Sequence, residues 1–400
     1  MILAFGITLV AAVLISGLAH RTVLSTAVLF LAVGFALGPE LGGILDIHAD
    51  DPWIATTMQL ALFVVLFTDG QRIGVRDLVH AWRLPGRALL LGMPLTFAIS
   101  TGLGMALLGL PPAQAMLVAA VLAPTDPVFA SAIVGREEIP RRVRGLLSVE
   151  SGLNDGLALP IVLILTAVVG GPDVDYGVLG IELVGGVGIG IVIPIAVALL
   201  LRIRFLTTTP LYAALSPVAV ALIVYGSCTL TGANLYLAAF SAGITIASVA
   251  PEIRRAFAEF GEYVSEIVKL FAIFVFGALI APSALADVPL LGYIFAGLTL
   301  LVARPVAVEL ALLGSGLPWE ERLTAAWFGP KGFASVLYGF LVLGSGSPDA
   351  VHLFHLVVVA IAISIIAHSS TDVPIARYFA RRERADAVPD APPPARPEPD

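Results

Sequence analysis

Apolar runs of about sixteen to twenty-five residues recur from one end of the chain to the other, separated by short polar or Gly/Pro-rich breaks. Runs of that length cross a hydrocarbon layer as α-helices, whereas an outer-membrane strand alternates over about ten residues. The pattern predicts an all-α integral membrane protein with thirteen transmembrane helices, at about residues 2–19, 23–38, 53–68, 88–109, 114–134, 146–169, 178–201, 211–230, 233–249, 264–281, 288–312, 323–344 and 350–368. The first run is continuous with the second and no small-residue cleavage site follows it, which argues against a removed signal peptide. Residues 1–383 are expected to form the transmembrane domain. The Ala/Asp/Pro/Glu-rich segment 384–400 has too little apolar surface to fold and is expected to be a disordered cytoplasmic tail.

Composition agrees with this pattern. With 58% apolar and 13% charged residues among 400, the chain lies outside the range of soluble globular domains. Arginine gathers in alternate loops: Arg72, Arg76, Arg83 and Arg87 in one, Arg136, Arg141, Arg142 and Arg144 in another, and Arg377, Arg381, Arg382 and Arg384 after the last run. The loops between them carry Asp46, Asp50, Asp51, Asp173, Asp175 and Asp287 instead. That asymmetry predicts an outside N-terminus and a cytoplasmic C-terminus in the cell membrane. The net charge of −7 comes mostly from outer loops and tail, so it points to no nucleic-acid partner. The single cysteine, Cys228, rules out an intramolecular disulfide.

The candidate chemistry lies where charge interrupts the apolar runs. A carboxylate at the bilayer centre costs about 2.5–3.5 kcal/mol and is kept where it faces a cavity. In the fifth run Pro124 and Pro127 bracket Thr125 and Asp126; in the twelfth, Lys331 sits among Gly329, Pro330 and Gly332. Proline removes a helical donor, so both helices are expected to break in mid-membrane, as transporter helices do at a substrate site. The fifth and twelfth runs are equivalent if two six-helix repeats, at about residues 1–170 and 211–370, flank a linking helix at about 178–201. The odd offset of seven inverts one repeat relative to the other. Asp126 and Lys331 have the signs needed to compensate one helix end each.

In the sixth run Ser151, Asn154 and Asp155 share a helical face, an oxygen set suited to a hard cation, while Glu150 lies to the side. Gly152 and Gly156, four apart, are expected to admit a neighbouring helix such as the broken one. Glu150 needs a buried basic partner, and Arg304 in Ala303-Arg304-Pro305 is the best candidate, through a bidentate pair.

These residues resemble the bacterial sodium/proton antiporters of the monovalent cation/proton antiporter superfamily, in the electroneutral, NhaP-like branch with an Asn-Asp pair. The markers are Thr125-Asp126-Pro127, Glu150-Ser151 with Asn154-Asp155, Arg304-Pro305 and the run Trp327-Phe328-Gly329-Pro330-Lys331-Gly332. The resemblance implies that Asp155 carries the exchanged ion, that Asn154, Ser151 and Thr125 support it, with sodium held at Asp155, Ser151 and Thr125, and that Asp126 helps the crossing. It further implies a homodimer, electroneutral exchange and no cofactor beyond the transported ions. Two positions depart from the pattern. Relatives place an acid directly after Leu-Phe in the third run, where this chain has Thr68 and then Asp69, readable as a displaced ligand, a cavity gate or an interfacial cap. The basic residue of the twelfth run is lysine, which keeps the charge and loses the planar fork.

The function expected is exchange of a monovalent cation, sodium before lithium or potassium, for a proton by alternating access, one for one and without an enzymatic step. Rival readings are a sodium-coupled or anion transporter, which would favour basic residues facing the cavity, and a cation channel. An intramembrane enzyme lacks support, since no His-Glu-x-x-His, Gly-x-Ser-x-Gly or Cys/His cluster occurs.

Overall fold

A computed structural model describes residues 1–19, 26–48, 51–72, 84–126, 138–171, 174–203 and 209–387. The described chain is all-helical. Helices α1 (Ile2–Ala19), α2 (Thr26–Leu37) and α3 (Pro52–Arg72) are followed by α4 (Pro85–Leu108) and α5 (Pro112–Leu122). Next come α6 (Arg141–Gly170), α7 (Tyr176–Leu200), α8 (Pro210–Thr231), α9 (Leu235–Val249) and α10 (Pro251–Leu279). After a short helix at Pro282–Asp287 lie α11 (Leu290–Ala311), α12 (Trp319–Trp327), α13 (Phe333–Leu343) and α14 (Ala350–Ala387). Among the described residues seven helices are long and apolar enough to cross a membrane, and five shorter apolar helices accompany them.

Local signals set several boundaries. Proline opens α4, α5, α8 and α10, where its missing donor costs nothing. Asp175 caps α7 by accepting from Gly177 N at 2.9 Å and Val178 N at 3.1 Å, and Asn234 caps α9 by accepting from Leu237 N at 3.0 Å.

Several boundaries differ from the sequence reading: α10, expected from 264, begins at Pro251, and α6, expected from 146, begins at Arg141. α3 continues past Thr68 to Arg72, so Asp69 lies inside a helix. α5 stops at Leu122 and residues 123–126 continue as non-helical chain, while the remainder of the expected fifth span, residues 127–134, falls outside the described residues. α14 runs to Ala387, beyond the expected start of the tail at 384; residues 388–400 lie outside the described residues.

Close helix packing frames the interior. A Cβ added at Gly34 of α2 would lie 2.1 Å from Phe274 O, and one at Gly277 of α10 would lie 2.4 Å from Leu31 O. The pair α3 and α9 meets the same way, with Gly70 against Phe240 O and Gly243 against Phe67 O. Only glycine permits such backbone contact between spanning helices. A π-helical turn interrupts α4 at Ala88–Gly92 and another interrupts α11 at Thr299–Ala303, the second placing Arg304 directly at its end.

Candidate functional site

The end of α5 meets the break between α12 and α13. α5 ends before Pro124, and the chain from Phe328 to Gly332 separates α12 from α13. Breaking a helix leaves carbonyls at one end and amides at the other without helical partners. Lys331 Nζ donates to Ala123 O at 3.3 Å and Pro124 O at 3.1 Å, placing a positive charge at the carbonyl end of α5. The Asp126 carboxylate accepts from Phe333 N, placing a negative charge at the amide end of α13. Asp126 N donates to Pro330 O at 2.8 Å, so backbone joins the chain after α5 directly to the α12–α13 break. A Cβ at Gly332 would lie 2.3 Å from Asp126 Oδ2, which leaves glycine as the residue that admits the carboxylate. Ser335 Oγ completes the junction by donating to Val121 O at 2.8 Å.

α6 brings its polar face to this crossing. Asn154 Nδ2 donates to Thr125 Oγ1 at 2.6 Å, and Thr125 Oγ1 lies 3.2 Å from Ser151 Oγ. Thr125, Ser151 and Asn154 are each 2% exposed and Asp155 is 5% exposed. Among the described residues neither Asn154 Oδ1 nor Asp155 Oδ1 has a hydrogen-bond partner, although both are buried. Buried oxygens without donors are costly, so these two atoms have free acceptor capacity for a proton or a cation. Tyr338 OH donates to Asp155 O at 2.7 Å, tying α13 to α6 beside the carboxylate.

Glu150 faces away from that set. Arg304 Nη1 lies 2.8 Å from Glu150 Oε1, while Arg304 Nη2 donates to Phe328 O at 3.3 Å. The contact is therefore one-armed, in contrast to the bidentate pair expected, because the second arm reaches the break between α12 and α13. Gly329 makes room for it: a Cβ there would lie 1.6 Å from Arg304 Nε. Gly156 admits a neighbouring helix as expected, though that helix is α9, whose Phe240 ring would lie 2.1 Å from an added Cβ, and not a broken one.

Asp69 is 2% exposed within α3, which is incompatible with an interfacial cap. Its carboxylate lies 3.5 Å from Lys269 Nζ of α10 and 3.3 Å from Arg72 Nε. Lys269 is a site neighbour that sequence reasoning placed in a span without assigning it a partner. Its signal was present: it is one of two lysines in the chain and lies in an apolar helical half. Tyr338 and His368 were also missed. His368 stacks on Trp327 with ring centroids 4.9 Å apart and lies 3.1 Å from Ser364 Oγ, which accepts from Lys331 N at 2.7 Å.

Residues 7–377 match the protein family described as sodium/hydrogen exchanger, transmembrane. The chain is 26% identical over 399 residues to the K(+)/H(+) antiporter NhaP of Alkalimonas amylolytica, covering 97% of this chain and 68% of that protein. It is 25% identical over 373 residues to the K(+)/H(+) antiporter NhaP2 of Shewanella baltica, covering 91% and 64%. The chain thus spans about two thirds of the length of these curated relatives. In fold it is similar to the sodium proton antiporter MjNhaP1 of Methanocaldococcus jannaschii at pH 8, with a TM-score of 0.76 and 20% identity, over 94% of this chain and 97% of that one.

Proposed function

The chain belongs to the transmembrane sodium/hydrogen exchanger family, and from that premise we propose that it exchanges a monovalent cation for a proton, one for one, with Asp155 carrying either ion. The observation that carries this reading is the buried, unpartnered Asp155 Oδ1 on the same face of α6 as Ser151 and next in sequence to Asn154, both of which contact Thr125. Oxygen ligands of this kind suit a hard cation, and a carboxylate buried there is neutral with either a proton or a monovalent ion bound. Loaded, the site crosses a low-dielectric barrier cheaply; empty, it carries a charge whose burial opposes crossing. Competition for one carboxylate is the coupling.

Charge balance supports the 1:1 stoichiometry. The buried acids at the crossing and in the pairs beside it are Asp69, Asp126, Glu150 and Asp155, the buried bases are Lys269, Arg304 and Lys331, and Asp372 of α14 is a further buried acid. Asp69 faces Lys269 and Glu150 faces Arg304, while Asp126 and Lys331 sit at opposite helix ends. Of the four acids at the crossing and in these pairs, Asp155 is left over. Sodium, held at Asp155, Ser151 and Thr125, is the first cation of this reading; the potassium named for the bacterial relatives makes that ion the next to compare.

In the finer architecture the chain crosses thirteen times, in two inverted six-helix repeats joined by α7 within a transmembrane domain of residues 1–383. An offset of seven spans supports it. That offset turns the α2–α10 glycine contact into the α9–α3 contact, the π turn of α4 into that of α11, and the break after Leu122 into the break after Trp327. The N-terminus lies outside and the C-terminus in the cytoplasm, from the arginine asymmetry of the loops. By resemblance to its family the protein works as a homodimer in the cell membrane.

The experiment is proton flux in proteoliposomes of known orientation, with sodium, lithium and potassium added in turn under an imposed membrane potential. Cation-driven proton movement whose rate ignores the potential supports the reading. Current without proton exchange would make the protein a channel, and flux coupled to an anion would revive the rival transporter.

A further inference from the structure

Two hollows outside the crossing meet at one side chain. The larger, of about 840 Å³, opens between the N-terminal ends of α4 and α6 and the loop after α11, and is lined by Arg87, Arg142, Leu90, Leu91, Ser315 and Leu317 among others. The smaller, of about 210 Å³, lies between α4, α5 and α6, and all its lining residues are apolar, including Met93, Phe97, Ala123, Leu157 and Ile161. Leu90 lines both. It belongs to the π turn of α4, whose extra residue per turn swells the helix at the junction.

Arg87 and Arg142 of the larger hollow are exposed, and neither guanidinium forms an ion pair with a described residue, although the Glu321 carboxylate lies within electrostatic reach of Arg142. Arg87 Nη1 donates to Leu313 O at 3.2 Å, which holds the guanidinium at the rim with donors to spare. Two guanidinium groups on an apolar floor present the fork that binds a phosphate. A basic pocket between spanning helices, sharing the wall residue Leu90 with a second hollow of purely apolar walls, matches a molecule with an anionic head and a hydrocarbon tail. A soluble anion would use only the first half of this arrangement.

We infer that the paired hollows bind one anionic phospholipid, its phosphate between Arg87 and Arg142 and an acyl chain passing Leu90 into the apolar pocket. The chain would then lie against Ala123, whose carbonyl accepts from Lys331 at 3.3 Å, and against Leu157 and Ala158, just after Asp155. The lipid therefore packs on the outer wall of the crossing and steadies it. This site does not depend on which ions are exchanged.

The test is thermal unfolding of the purified full chain in a neutral detergent, titrated with phosphatidylglycerol, phosphatidylcholine or inorganic phosphate. Phosphatidylglycerol should raise the midpoint by about 5 °C at saturation, and the other two should leave it unchanged. The Arg87→Gln/Arg142→Gln variant should lose that shift while keeping wild-type exchange in phosphatidylcholine vesicles. Leu90→Trp, which plugs the junction, should lose it too. Equal stabilisation of wild type and the double variant would overturn the site. A shift produced by inorganic phosphate alone would make it a free-anion site, and an undiminished shift in Leu90→Trp would remove the acyl chain from the apolar pocket; either result contradicts the proposal.

Discussion

Asn154 donates its side-chain amide to Thr125 Oγ1 across 2.6 Å, joining the intact helix α6 to the chain that follows α5. The bond sets which threonine lone pairs remain for a cation and holds Asn154 Oδ1 beside Asp155. Replacing Asn154 by Ala removes a hydrogen bond worth about 1 kcal/mol, so the apparent KM for the cation should rise roughly fivefold. Initial rates of cation-dependent proton flux in everted vesicles measure this directly. An unchanged KM would detach Asn154 from the site.

Arg304 binds Glu150 with one arm and the Phe328 carbonyl with the other. Either Glu150→Gln or Arg304→Gln leaves a buried charge unmatched and should cost about 3–5 kcal/mol of stability. The double variant should lose less than the sum of the singles, because no lone charge remains. Thermal unfolding of the detergent-purified variants reads the difference, and strict additivity would mean that the two charges do not interact.

With Lys269 3.5 Å from its carboxylate, Asp69 is balanced by its own chain. The paired variant Asp69→Asn/Lys269→Met should therefore keep cation/proton exchange, and its rate should stay insensitive to an imposed potential. A cation KM raised more than about tenfold, the equivalent of 1.4 kcal/mol, would instead place Asp69 among the ligands.

Gly332→Ala places a methyl group against the Asp126 carboxylate. The crossing must then shift, and exchange should be lost while the protein still reaches the membrane. Retained activity would mean that Asp126 is free to leave α13.

Away from the crossing, Ser283 N donates to Glu40 Oε2 at 2.9 Å and its hydroxyl donates to the other carboxylate oxygen. These bonds hold the Glu40 carboxyl below its usual range, with the side-chain bond the larger cause. A carboxylate whose folded-state value is lowered stabilises above its unfolded value and loses that contribution as pH falls through the lower one. Exchange profiles of wild type and Glu40→Gln should therefore coincide from about pH 6 to pH 9, where the group stays ionised on both counts. Diverging profiles in that range would give this clasp a part in transport.

Much of this arrangement is legible in the chain because membrane insertion penalises what does not belong there. Asp126 between prolines, Lys331 between glycines and Asp155 beside Asn154 stand out against apolar neighbours, and the residues that carry the crossing are among them. Partnership is harder to read. Asp69 and Lys269 are two hundred positions apart on α3 and α10, and no local pattern says that those helices face each other. Gly156 signals a close approach without naming Phe240 as the group that fills it. The π turns leave no mark in hydrophobic periodicity, since a single extra residue per turn is absorbed within an otherwise apolar run. Arg304 was matched to Glu150 by charge; its second arm depends on how far the α12–α13 break lies from α11, which only the assembled bundle sets.

The central claim is that sodium and hydrogen compete for one carboxylate. Counting the protons released when sodium binds to the detergent-purified protein tests it most directly, near the pH where half the sites are protonated and in weakly buffered solution. Release should track sodium occupancy, reach a maximum of one proton per cation under acidic conditions, and vanish together with sodium binding in Asp155→Asn. Sodium binding with no proton released at any pH, or release that persists in Asp155→Asn, would contradict the account.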